Sequence, residues 1–153
     1  MKSNSQLSGV LHVLMHMAFR EGPSTSESLA KAMQTHPVVV RRLMGGLRQA
    51  GFVASAKGHG GGWVLTCPLA TTTVGDIHQA LGAPHLLAVG HRDENPGCVI
   101  EQAVNTALDA AYRDAERLVL ERLHAISLAD LHQLFQQRMA TDPRARKHTD
   151  HAH

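Results

Sequence analysis

Residues 57–65 read KGHGGGWVL. A run of three glycines lies between two short strand-like stretches, Phe52–Lys57 and Trp63–Thr66, and few local structures accommodate it. A phosphate-binding loop needs a GxxxxGK[ST] pattern, or a helix opening directly after the glycines. Here an apolar run follows instead. Two strands with a glycine-rich connection read as a β-hairpin. The glycines then supply positive φ or room for a second backbone to come close, and Lys57 and His59 make the tip basic.

Three helices are expected ahead of the hairpin. Over residues 6–21, Leu7, Val10, Leu11, Leu14 and Ala18 recur at helical spacing, and Glu21-Gly22-Pro23 ends the run. Ser24 and Glu27 have capping-box spacing for a second, short helix that ends near Gln34. Thr35 is the expected N-cap of a third, with Pro37 in its first turn. Val40, Leu43 and Leu47 make its apolar stripe, while Val38, Arg41, Arg42, Gly45 and Arg48 fall on the opposite side. Gly45-Gly46 inside that helix costs roughly 1 kcal/mol per Gly relative to Ala, so a neighbour is expected to pack closely there.

After the hairpin, Thr73 and Asp76 start a fourth helix that Gly82 and Pro84 end. Residues 84–97 are rich in breakers and read as a loop. A long helix runs from Cys98 to about Leu123, nearly 40 Å at about 1.5 Å per residue. Its apolar stripe exceeds what so small a domain buries, so a second copy of the chain is the expected partner. Packing on its own domain is the alternative. A last helix starts at Ser127, and the polar tail 141–153 is expected to be flexible. The expected organisation is therefore residues 1–83 as one unit of helices and hairpin, 84–97 as a loop, 98–140 as dimerisation helices, and the tail.

Composition narrows the function. Aromatic residues are 3% of the chain, so the core is aliphatic. No apolar run is long enough for a membrane span, and a signal peptide is not expected at the N-terminus. Two cysteines are too few for a disulfide framework, which suits the cytoplasm. Residues 1–83 hold seven Lys/Arg against three Asp/Glu. Between Glu27 and Asp76 there is no acid at all, yet Lys31, Arg41, Arg42, Arg48 and Lys57 lie there. Such a bias points to a polyanionic partner.

Helix, short helix, helix, then a basic-tipped hairpin is the order of a winged helix-turn-helix. The fold class read from the sequence is mainly α with a small β-hairpin wing, plus a long dimerisation helix. The stretch THPVVVRRLMGGLRQAGFVASAKGHGGGWVLTCP, followed by TTTVGDIHQAL, resembles the DNA-binding half of the Rrf2 family of bacterial transcriptional regulators. The pattern L-x-x-A-G-x-V-x-S-x-x-G-x-G-G-G at Leu47–Gly62 carries most of that resemblance, which covers residues 5–83 in detail. It implies a homodimer crossed through the long helix and bound to a palindromic operator on double-stranded DNA. It also implies DNA contacts at Thr35, His36, Val38, Val39, Arg41, Arg42 and Lys57. Arg48 and His59 join them from their positions on the helix and the wing. Trp63 is expected to anchor the wing to the core.

Some members of the family bind an iron–sulfur cluster through three cysteines in and around the loop before the long helix. This chain has only Cys98 there, and a cluster needs about four ligands, largely thiolates. The chain therefore resembles the cluster-free subgroup, and no cofactor is expected. Cys98 stands at a helix start, a position that favours a reactive thiol, and is a redox-sensing candidate; an inert, half-buried thiol is the alternative. Cys67 reads as structural. His12 and His16, four residues apart, could clasp a metal only if His91 or Cys98 joined them. The reading is thus a dimeric, sequence-specific DNA-binding regulator acting as a repressor. The alternatives are a winged-helix module that binds protein rather than DNA, and a metal-responsive regulator. No constellation for an enzyme is present.

Overall fold

The computed structural model describes residues 2–87, 89–90, 95 and 97–141. His91 and the tail from residue 142, both considered above, lie outside the described residues. Six helices and one hairpin follow in the order α1 (Lys2–Phe19), α2 (Ser26–Met33), α3 (Pro37–Gln49), β1 (Val53–Ala56), β2 (Gly62–Leu65), α4 (Val74–Ala80), α5 (Val99–His124) and α6 (Leu128–Thr141). β1 and β2 are antiparallel, with Val53 opposite Leu65 and Ala56 opposite Gly62.

α1 starts four residues before the apolar periodicity does, because its first turns are polar and carry no stripe. Two expected caps shift by one residue, each for a tertiary reason. Ser24 does not cap α2. Its backbone is spent on a two-way bridge to Trp63, with N–H to O distances of 2.9 and 2.8 Å, and it is buried in extended form. Thr25 caps instead, its hydroxyl accepting from Ser28 N at 3.1 Å. Thr35 likewise does not cap α3. Its N–H closes the end of α2 on Ala30 O at 3.0 Å, after Gln34 has turned left-handed at φ 53°. His36 takes the cap, its Nδ1 accepting from Val38 N at 3.2 Å.

The Thr73–Asp76 capping box forms as expected, with reciprocal bonds of 2.8 and 3.1 Å. Ser127 and Asp130 repeat it ahead of α6 at 2.8 and 3.0 Å. One aliphatic core unites the helices. Val10, Val13 and Leu14 of α1 meet Val40, Met44 and Leu47 of α3, Ile77 of α4 and Leu128 of α6. Leu128 is fully buried there, and Thr72–Val74 pairs by backbone with Ile126–Leu128, so the chain after α5 returns to the same core. The expected close approach at the paired glycines holds at Gly46, where an added Cβ would stand 3.1 Å from Ala80 O of α4; Gly45 meets nothing.

α5 joins this core at its C-terminal end, through Leu123, and otherwise stands clear of it. None of its 26 residues is buried, and Val99 and Ile100 are 75% and 76% exposed.

Candidate nucleic-acid interface

α2 and α3 form the helix-turn-helix, and the turn between them is Gln34–His36. Because Val40, Leu43, Met44 and Leu47 all face the core, the other side of α3 is committed to solvent. Val38 at its first turn is 58% exposed, and Arg41, Arg42 and Arg48 stand out along it. Val39 is half-buried and packs against the core beside Val40. Thr35 is half-buried as well, whereas His36 is exposed with Nδ1 occupied by its capping bond.

The wing is fixed from beneath. The Trp63 indole N–H donates to Ser26 Oγ at 3.0 Å, and its backbone bridges Ser24, so β2 is tied to the start of α2. Trp63 is thus the anchor expected of it, and it packs on the core. The same bridge explains Gly62, and the hairpin's own carbonyls explain Gly61. A Cβ at Gly62 would lie 2.5 Å from Ser24 O, and one at Gly61 would collide with the Ala56 and Gly58 carbonyls. These are close approaches of backbone to backbone that no side chain fits. Lys57 and His59 are both exposed at the tip.

One ion pair was not legible in the sequence. Arg41 Nη2 donates to Glu27 Oε1 at 2.8 Å, with both side chains more than half exposed. Glu27 is the last acid before the acid-free stretch, and it reaches α3 only because α2 folds back on it. Among the described residues, Arg42, Arg48 and Lys57 have no ion-pair partner. The side of the molecule formed by α3 and the wing therefore keeps its positive charge almost uncompensated.

Elsewhere, Cys98 is the N-cap of α5, half-buried, and makes no capping hydrogen bond through its side chain. Cys67 follows the wing, where burial pushes its thiol up. The His12 and His16 Nε2 atoms are 2.8 Å apart. Among the described residues no third His, Cys, Asp or Glu joins them to make a metal cluster.

A recognition helix beside a glycine-tipped basic wing defines a winged helix-turn-helix regulator of transcription. The family model described as Rrf2, iron-dependent transcriptional regulator, matches residues 3–133, and the chain belongs to that family. YwnA of Bacillus subtilis (strain 168), provisionally named an HTH-type transcriptional regulator, is 30% identical over 128 residues, which cover 84% of this chain and 95% of YwnA. The solved structure of CymR, the global cysteine regulator of B. subtilis, is 25% identical with a TM-score of 0.61, and the match covers 88% of this chain and 95% of CymR. The oxidized form of Staphylococcus aureus CymR shares the fold at 23% identity and a TM-score of 0.57, with 84% of this chain and 91% of that one covered. The protein is accordingly a DNA-binding transcriptional regulator.

A thiolate-held iron–sulfur cluster, one reading of the iron in the family's description, does not fit this chain's cysteines. Thiolate-held clusters draw on several cysteines. Cys67 and Cys98 are the whole complement, one after the wing and the other at the start of α5.

Proposed function

We propose that the protein is a homodimeric repressor that reads a palindromic operator with α3 and clamps the flanking backbone with its wing. The exposed basic face of Arg41, Arg42 and Arg48 beside Lys57 and His59 carries this reading. Arg41 and Arg42, near the N-terminal end of α3, are placed for base edges or phosphates, and Arg pairs bidentately with guanine. His36 and Val38 open the same helix, and Thr35 and Val39 support its seat. Arg48 and Lys57 serve as phosphate contacts. Dimerisation through α5 is supported by its unburied apolar residues, since a helix of that length buries its stripe only against another body. No helix among the described residues is long and apolar enough to cross a membrane; the cytoplasm as the site of action follows from the proposed role on DNA.

The regulatory thiol is Cys98. Its N-cap position and the likeness to CymR, one homologue of which is solved in an oxidized form, support a response to oxidation. Two Cys98 thiols, one from each copy, would give two electrons and two protons to a peroxide, which leaves as water while a disulfide forms.

A gel shift on the DNA upstream of the protein's own gene tests the reading. Reduced protein binds, with affinity falling steeply as salt rises, and peroxide releases the DNA unless Cys98 is Ser. Absence of salt-sensitive binding to any promoter fragment refutes the operator reading. Release that persists in Cys98→Ser refutes the thiol.

A further inference from the structure

α4 meets a different helix at each end. At its start, Gly75 is buried against the ring of His124, the last residue of α5. A Cβ on Gly75 would run into the Cγ, Nδ1 and Cδ2 atoms of that ring. The ring sits beside the capping box of α4: its Nδ1 lies 3.3 Å from Thr73 Oγ1 and 3.7 Å from Asp76 Oδ1. At its other end α4 presents the Ala80 carbonyl to Gly46 of α3, 3.1 Å from where a Cβ would stand. Between these ends, Val74 and Ile77 are buried in the core shared with Val40, Met44 and Leu47 of α3.

Backbone pairing reinforces the first contact. Val74 N donates to Ile126 O and Leu128 N to Thr72 O, each at 2.8 Å. The chain leaving α5 is thus fastened to the chain entering α4, and the His124 ring stands between the two helices. Glycine inside a helix is unfavourable relative to alanine, and Gly75 has none of the positive φ that would call for it. The neighbouring ring is what leaves it no side chain. α4 therefore links the helix placed to read DNA to the helix that carries the exposed apolar stripe.

α5 acts on this joint as a long lever. It spans about 39 Å, so a tilt of about 5° at His124 moves its far end by roughly 3.4 Å, the rise of one base-pair step. A dimer binds paired half-sites only where their spacing matches the separation of its two recognition helices.

We propose that Gly75 and His124 set the spacing of the operator half-sites. The ring seated on the glycine fixes the angle between α4 and α5, and that angle fixes how far apart the two copies of α3 stand. Both are positioning residues, with no contact to DNA. The inference rests on the homodimeric, DNA-binding reading above.

Selection of duplexes from a random-sequence pool, run in parallel with the parent protein and with Gly75→Ala, tests it. Half-site sequence and centre-to-centre spacing are read separately from the selected palindromes. Gly75→Ala is expected to select the parent's half-site, since α3 is unaltered, at a spacing changed by about one base pair. Should that variant fail to fold, His124→Ala takes its place; this side chain is about half exposed, so its removal leaves the core whole. It empties the joint, and the variant accepts neighbouring spacings that the parent rejects. Identical spacings from the parent and a folded variant overturn the inference and leave the dimeric reading intact. A changed half-site sequence also overturns it, because the effect then lies in α3 itself. So does a folded variant that selects single half-sites or none, having lost the dimer rather than its spacing. A parent that selects no paired half-sites overturns the dimeric reading, and the inference with it.

Discussion

Arg41 faces two competing demands. In the free protein it is paired with Glu27 at 2.8 Å, and in the proposed complex it turns to DNA. The pair is exposed, and such pairs are worth at most about 1 kcal/mol. Glu27→Gln is therefore expected to tighten operator binding by up to about fivefold, read by gel shift; unchanged or weaker binding would argue that Arg41 never leaves its partner. His16 gives a pH prediction. Burial first, then His12 and Arg20, draws its imidazole below the ordinary value. A base with a lowered folded pKa binds fewer protons folded than unfolded, so stability drops as pH falls through about 6.5 toward the folded value. The Tm of the protein should fall more between about pH 7.5 and about pH 5.5 than that of His16→Gln, and equal falls would contradict the assignment.

The helices and the hairpin depend on local chemistry to different degrees. The capping boxes at Thr73–Asp76 and Ser127–Asp130 formed where the spacing placed them, since both partners lie within one turn. Thr73→Ala should cost about 1 kcal/mol, seen as a lower urea midpoint at unchanged slope. A shift in slope instead would mean that α4 had come loose from the core. Ser24 and Thr35 failed as caps because distant or preceding backbone claimed them, Trp63 in one case and the end of α2 in the other. Apolar period, glycine run and box spacing were therefore legible, whereas the exact cap was open wherever two backbones compete for one residue.

For the molecule as a whole, the proposed assembly rests on α5. Its exposed stripe has no complement on its own chain among the described residues. Val104→Asp, at a position 51% exposed and far from the shared core, should shift the protein from dimer to monomer in light scattering. Because paired half-sites demand two copies about one helical turn of DNA apart, the variant should also lose cooperative operator binding while keeping its fold. A monomeric parent protein would refute the dimer.

The periodicities, the acid-free basic stretch and the glycine run already defined a winged helix with one basic side and a long apolar helix, since each depends on residues near one another in the chain. The arrangement of that side came from tertiary packing. Glu27 reaches Arg41 across fourteen residues, Ser26 holds the Trp63 indole across thirty-seven, and Gly62 leaves room for the distant Ser24 carbonyl. The apolar groove beside Leu86 and Leu87 is likewise drawn from a loop and four helices that share no sequence pattern, through Leu11 of α1, Val74 of α4, Leu123 of α5 and Phe135 of α6. Such contacts form only when the hydrophobic core brings separate elements together, and no spacing along the chain encodes them.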